Sequence, residues 1–404
     1  MKYQFLWFFL LISNCIIGQT IITGTVFEKN NPLEGAAVYL NNTMVGTTTN
    51  AKGVFSLKVK EGKHELIISF LGYKTINYNL NTSTYKKPLS FTLVEAENTL
   101  NEIFIGKTKY DDEWKYNLKN FKREFIGQTT LAENCKILNP KVLHFEFDAK
   151  NNILTAFARK PLQIKHKDLG YKITYDLESF IINKKYVTYL GYSRYENLKG
   201  SKRKQRKWKK NRLKAYNGSS IHFYQSLLKG TSYVDGFIIN LFKRVPNPER
   251  PSEEEIKKAR ELVKLNRSVI NFSAKIEKPK SAIDSALLVL RKVRLPKFID
   301  YLYESKAPIN KIITKENGVY KLIFENNLSI VYTKELEEKG YILRNAFSKI
   351  RKALPQTSSI IPVKKPIYLD KNGLLINPLA VFYEGYWSYE KFANTLPLDY
   401  VPLK

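Results

Sequence analysis

The densest chemical feature of this 404-residue chain is a cationic run at 199–214. It holds ten basic residues, Lys199, Lys202, Arg203, Lys204, Arg206, Lys207, Lys209, Lys210, Arg212 and Lys214, with Trp208 in the middle and no acid. Such a run draws polyanions by releasing their counterions, and an aromatic ring within it can settle at a lipid head-group or stack on a base. Two plainer readings stand beside that one. The run is a solvated helix or loop of a generally basic protein, or Trp208 and Arg212, four apart, are the packed face of a helix.

Just downstream, Ser219, Ser220 and His222 come closest to a nucleophile and its base. Serine catalysis needs the hydroxyl within hydrogen-bond reach of a histidine, itself oriented by a carboxylate, with an oxyanion hole nearby. On a strand, Ser220 and His222 would share one face. No Gly-x-Ser-x-Gly elbow is present, and Gly218-Ser219-Ser220 reads more simply as a turn or helix cap before 221–228. His144 and Glu146 would share a strand face too, but two ligands are too few for a structural metal site. Cys135 reads as a small buried hydrophobe. The aromatic segment 382–387 suits either a glycan platform or core and interface packing. With no phosphate loop, Cys-x-x-Cys pair or dinucleotide fingerprint, neither cofactor nor metal is expected.

Elements must position these residues. Trp114, Leu118, Phe121 and Phe125 recur at four, three and four as one apolar stripe, with Asp111 and Asp112 at the favourable N-terminal end, which predicts a helix after the linker. Strand-like runs follow at 142–147, 153–158, 171–177 and 186–192, the first two joined by a hairpin loop at 148–152. Ser252 with Glu255 makes a capping box for a helix running to about Ile270, and Ser281 with Asp284 opens another that ends near Arg291-Lys292 before Pro296. Runs 319–325 and 328–333 flank Asn326-Asn327 as a further hairpin. Residues 112–404 thus read as a basic α+β region with mainly antiparallel strands.

The start of the chain reads as an export signal over 1–18: Lys2, an apolar stretch from Phe5, and Gly18 before Gln19. Its apolar part is too short to cross a bilayer core of about 30 Å. Cys15 raises lipid attachment, although Asn14 is bulkier than the small residue such sites carry. Removing the signal leaves Cys135 alone, so stability rests on burial, not on a disulfide. The net charge is +30, and it is uneven. Lys2 precedes the mature start, and residues 19–95 hold eight Lys/Arg against five Asp/Glu, which leaves +26 after residue 95.

Within 19–95, short apolar runs alternate with turns every eight to twelve residues, the rhythm of a small β-sandwich. Ile22-Thr23-Gly24-Thr25-Val26 leads to Pro32-Leu33-Glu34-Gly35-Ala36-Ala37-Val38; then come Gly46-Thr47-Thr48-Thr49-Asn50-Ala51-Lys52-Gly53-Val54-Phe55 and His64–Tyr73 with its Leu71-Gly72 turn. This string resembles the carboxypeptidase regulatory-like domain of Bacteroidetes envelope proteins, which implies a seven-stranded Ig- or transthyretin-like sandwich. Family members usually carry Asp where Asn50 stands; Asn caps the same turn. The resemblance implies envelope work, but not the larger contexts of the module. A zinc carboxypeptidase needs a His and a Glu three residues apart plus a distant His, and none of His64, His144, His166 and His222 has Glu three positions on. Leu100-Asn101-Glu102-Ile103-Phe104-Ile105 is similar to the linker before a receptor plug, yet about three hundred residues are too few for a twenty-two-stranded barrel.

The second region resembles one that follows the same module in many flavobacterial proteins. The resemblance rests on Phe125-Ile126-Gly127, Cys135-Lys136-Ile137-Leu138-Asn139-Pro140, Leu169-Gly170-Tyr171, Asn211-Arg212, Gly385-Tyr386-Trp387-Ser388 and Leu396-Pro397-Leu398-Asp399-Tyr400. It implies a family and no chemistry. The organisation expected is therefore a signal over 1–18, the sandwich over 19–95, a linker over 96–111 and the basic region over 112–404. The function expected is a non-catalytic protein of the periplasm or outer membrane. Its basic region, through Lys202, Arg203, Lys204, Arg206, Lys207, Trp208, Lys209, Lys210 and Arg212, would meet an anionic lipid, lipopolysaccharide, an acidic glycan or an envelope protein partner. Nucleic acid fits the charge but not the compartment. The competing expectation is a hydrolase using Ser220 and His222.

Overall fold

The computed structural model describes residues 19–96, 109–184, 186–266, 276, 278–316, 318–344 and 351–402. The expected export signal over 1–18, Cys15 and all but the ends of the expected 96–111 linker lie outside the described residues. The chain divides into two compact units. One comprises Met1–Asn217 with Leu343–Ala346 and Tyr389–Lys404; the other comprises Gly218–Ile342 with Phe347–Ser388.

The first unit opens with the sandwich. Strands β1 (Gln19–Glu28), β2 (Asn31–Pro32), β5 (Val54–Lys60) and β8 (Leu89–Leu93) make one sheet; β3 (Ala37–Leu40), β4 (Gly46–Thr48), β6 (Lys63–Ser69) and β7 (Ile76–Asn81) make the other, in the order β4-β3-β6-β7. Seven of these have three or more residues and β2 has two. In β5 burial alternates strictly, with Phe55, Leu57 and Val59 inside, as its period-two pattern requires. Gly24 permits the close approach of β8: a methyl group there would meet the Leu89 carbonyl at 2.5 Å. Asn50 caps its turn as expected, its Oδ1 accepting from the N–H groups of Lys52 and Val54.

The rest of this unit is built on an antiparallel sheet and two long helices, Asp112–Phe125 and Lys202–Tyr216. Helix α1 (Asp112–Phe125) begins at Asp111, whose carboxylate accepts from the Trp114 N–H. The sheet contains β9 (Cys135–Ile137), β10 (Leu143–Asp148), β11 (Ile153–Ala158), β12 (Leu162–His166), β13 (Tyr171–Ile182) and β14 (Val187–Asn197). The expected hairpin pairs Leu143 with Ala158 through Asp148 with Ile153. Phe121 and Phe125 drop from α1 onto Phe180 and Tyr175, and Phe392 stacks on Phe125 at 4.8 Å. Cys135 packs inside this core, its thiol pushed up to about 12 by burial.

The sandwich is stitched to that sheet through main chain. The Asn42 N–H donates to the Ser193 carbonyl, and the Tyr195 N–H to that of Thr43. Tyr39 adds a hydroxyl bond of 2.7 Å to Asp176, whose carboxyl is raised by burial. The C-terminal segment ties in as well: the Leu398 N–H donates to the Asn42 carbonyl, and Asp399 accepts from the Met44 N–H.

The second unit is built on helix α3 (Ser220–Lys229) and a five-stranded antiparallel sheet of β15 (Phe237–Pro246), β16 (Phe298–Glu304), β19 (Asn327–Leu336), β20 (Pro355–Pro362) and β22 (Val381–Gly385), in the order β16-β15-β19-β20-β22. A smaller sheet holds β17 (Ile313–Glu316), β18 (Val319–Leu322) and β21 (Ile367–Leu369). The hairpin expected across Asn326-Asn327 does not form. Segment 319–322 pairs with β17 and β21, whereas 327–336 pairs with β15 and β20. The tight turn lies earlier, where Glu316 faces Val319. The capping box at Ser252 and Glu255 is present on the helix Glu253–Leu265, and Ser281 caps Ala282–Lys292.

Candidate functional site

The cationic run folds as helix α2 (Lys202–Tyr216), capped by the Ser201 hydroxyl. Its charge pattern opposes it. Lys202, Arg206, Lys210 and Lys214 follow one another at i,i+4, where like charges repel by about 0.2–0.5 kcal/mol per pair, and the first turn places cations at the positive end of the helix dipole. Tertiary contacts hold it instead. The Trp208 indole is 7% exposed, and its N–H donates to the Lys167 carbonyl at 2.8 Å. Asn211 donates to the Asp168 carbonyl, and Arg212 to the carbonyls of Leu169 and Gly170 and to Asn197. The Arg212 guanidinium also lies 3.9 Å from the centre of the Tyr171 ring, a cation–π stack.

The receiving turn is shaped for this. Gly170 has φ +73, and a methyl group there would fall 2.2 Å from Trp208 Cδ2. Asp168 accepts from Lys207 Nζ at 2.7 Å and from Asn134 at 2.8 Å. Burial pushes the Asp168 carboxyl up, but those two hydrogen bonds outweigh it and hold it below the ordinary carboxylate range.

The nine residues expected to bind anions therefore separate. Trp208 and Arg212 are packing groups, the reading in which a helix face turns inward, and the indole is not available to a head-group. Lys207 is engaged by Asp168. Lys202, Arg203, Lys204, Arg206, Lys209 and Lys210 are exposed, and among the described residues none of these six pairs with a carboxylate. At 1.5 Å per residue they line about 12 Å of helix. Sequence reasoning missed Asp168 and Asn211 as positioning groups; Leu169-Gly170-Tyr171 and Asn211-Arg212 were noted for their resemblance alone.

The serine–histidine candidates do not assemble. The segment is a helix, and Ser219 is its cap, its hydroxyl accepting from the His222 N–H at 3.3 Å. Ser220 and His222 leave a helix about 200° apart, so the shared face expected of a strand is lost. His222 Nδ1 accepts from the Gly218 N–H, and its ring rests edge-on against Phe237. His144 and Glu146 stand 4.0 Å apart, and among the described residues no group of three or more His, Cys, Asp or Glu could hold a metal. The aromatic close is core: Trp387 is buried with its N–H on the Gly218 carbonyl, and the Tyr383 hydroxyl meets that of Tyr224.

Burial lowers the pKa of His222 to about 4 and also lowers that of His166. His166 is fully buried, its Nε2–H donating to the Ala393 carbonyl while its Nδ1 accepts from the Leu169 N–H; a neutral ring with its proton on Nε2 satisfies both. A histidine depressed on folding contributes stability that is full above the unfolded value of about 6.5 and is lost as pH falls toward the folded value. Between pH 6.5 and 4, His222 alone should cost roughly 2 kcal/mol, allowing for the solvent its ring still meets. Thermal unfolding followed from pH 7.5 to 4.5 should show the loss, and His222→Gln should flatten it; an equal slope in both proteins would remove His222 from the account.

Residues 22–105 match the family model of the CarboxypepD_reg-like domain. Over 85 residues the chain is 31% identical to a TonB-dependent receptor of Formosa agariphila, a match covering 21% of this chain and 8% of that receptor's length. Among solved structures, a cohesin–X-dockerin complex from Acetivibrio cellulolyticus is 22% identical, covers 18% of this chain and 52% of its own, and has a TM-score of 0.16. A 9R-lipoxygenase from Cyanothece is 8% identical, covers 54% of this chain and 48% of its own, and has a TM-score of 0.14. Neither structural likeness bears on fold or function at those scores.

Proposed function

We propose that this chain is a non-catalytic, exported envelope protein that uses the outer face of α2 to hold an anionic envelope component, with the β-sandwich as its docking module. The CarboxypepD_reg-like domain and the receptor relative are consistent with an envelope location. The observation that carries the reading is the set of six exposed, unneutralised cations on a helix anchored by Trp208 and Arg212. A helix that repels itself and opposes its own dipole gains stability when an anionic surface screens it. With Trp208 turned inward, the contact is electrostatic and does not insert.

Salt tests this directly. Sedimentation with vesicles rich in anionic phospholipid, or with lipopolysaccharide, should capture the protein at roughly 50 mM salt and release most of it by about 200 mM, where the Debye length falls below about 10 Å. Capture that persists unchanged at high salt, or equal capture by neutral vesicles, would overturn the electrostatic reading.

A further inference from the structure

The sandwich has an open edge that the basic helix does not explain. Strand β7 ends its sheet, paired to β6 alone, and β8 is joined to the other sheet through β1. Between them lies a cleft of about 360 Å³. Tyr78, Leu80, Tyr85, Pro88 and Leu89 supply apolar lining; Asn79, Asn81, Thr84, Lys86 and Lys87 supply the polar part, with no acid. Tyr85 is pinned, its hydroxyl accepting from the Thr23 N–H at 2.9 Å.

The ladder says which groups are open. The Thr82 N–H donates to the Gly62 carbonyl one step beyond the β6–β7 register. Antiparallel pairs alternate between bonded and non-bonded positions, so Leu80, Tyr78 and Ile76 turn their main chain toward β6, and Asn77, Asn79 and Asn81 turn theirs away. The Asn81 carbonyl is taken by the Thr84 N–H. Among the described residues, the main-chain groups of Asn77 and Asn79 have no partner. Unpaired strand edges are normally blunted by proline, charge or a bulge, and the sequence Ile-Asn-Tyr-Asn-Leu-Asn of β7 carries no charge and no proline.

We infer that β7 receives an extended acidic segment of a protein partner as an added strand. Four main-chain hydrogen bonds at Asn77 and Asn79 supply register. Alternate side chains of the segment enter the cleft, apolar against Tyr78, Leu80 and Leu89 and acidic beside Lys86 and Lys87, which line it too. The cleft volume suits two or three aliphatic side chains, and the lysines select against a basic strand.

The probe is a fluorescein-labelled peptide, Thr-Val-Thr-Leu-Thr-Glu-Thr-Glu, titrated by polarisation against the full chain carrying glutamine at 202, 203, 204, 206, 209 and 210, so that α2 does not compete for it. Saturable binding is expected. Asn79→Pro removes an outward N–H without touching the β6 ladder, and should weaken binding at least about tenfold while circular dichroism and the unfolding midpoint hold. Lys86→Glu with Lys87→Glu should do the same. If Asn79→Pro disturbs the fold, the peptide methylated on alternate backbone nitrogens gives the same test from the other side and should not bind. Undiminished binding of the methylated peptide would overturn strand addition. So would failure of the plain peptide, including the case in which oligogalacturonate saturates the cleft and is lost with Lys86→Glu and Lys87→Glu, the behaviour of an acidic-saccharide site.

Discussion

Replacing Lys202, Arg203, Lys204, Arg206, Lys209 and Lys210 together with glutamine should lower affinity for anionic vesicles at least about 100-fold at low salt while the fold stands. A basic residue near an anionic surface contributes about 1 kcal/mol. Only part of the α2 face can touch a flat surface at once; three simultaneous contacts already amount to about 100-fold. Lys207 is left in place because it neutralises Asp168, and removing it would leave a mostly buried carboxylate short of a partner. Stability should hold or rise by about 1 kcal/mol, since the like-charge neighbours and the opposed dipole are relieved together. Vesicle sedimentation and thermal unfolding read the two effects separately. Unchanged sedimentation in a folded variant would place the binding surface elsewhere.

Trp208→Ala should be the most damaging single change in the first unit, at about 3–5 kcal/mol. The indole fills the space left by two glycines: a methyl at Gly170 would lie 2.2 Å from its ring, and one at Gly200 2.5 Å. Its loss opens a cavity and leaves the Lys167 carbonyl without its donor. With that anchor gone, like-charge repulsion and the opposed dipole act on the helix unchecked, so a helical circular dichroism loss should accompany the lower denaturant midpoint. Gly170→Ala attacks the same joint from the other side, adding strain at φ +73 to the overlap. Arg212→Lys separates charge from geometry: it keeps the cation but gives up the fork to Leu169, Gly170 and Asn197 and the stack on Tyr171. Vesicle binding should survive Arg212→Lys at a cost in stability. A Trp208→Ala protein with an unshifted midpoint would show that α2 is held by something other than this joint.

Helix starts and the first hairpin were legible because their causes are local. Asp111, Ser252 and Ser281 cap through atoms three residues away, and Gly218-Ser219-Ser220 did read as a cap. The misplaced hairpin at Asn326-Asn327 has a physical reason. The stronger turn signal, Asn317-Gly318, lay nine residues earlier, and sheet membership is chosen by long-range pairing that no local pattern announces. The candidate site was half legible. Charge density located α2, but composition could not say which cations turn outward, nor that Asp168 would claim one of them.

Alternating apolar residues, turn chemistry and the concentrated positive charge are contained in the order of amino acids, because each acts within a few residues of itself. Which side of α2 faces water, that Ser220 and His222 diverge, and that Asn42, Ser193 and Leu398 meet were settled only on folding, because each depends on groups brought together from distant parts of the chain. A folded protein indifferent to ionic strength and to the loss of those charges would show that the bare face of this anchored helix holds no anion.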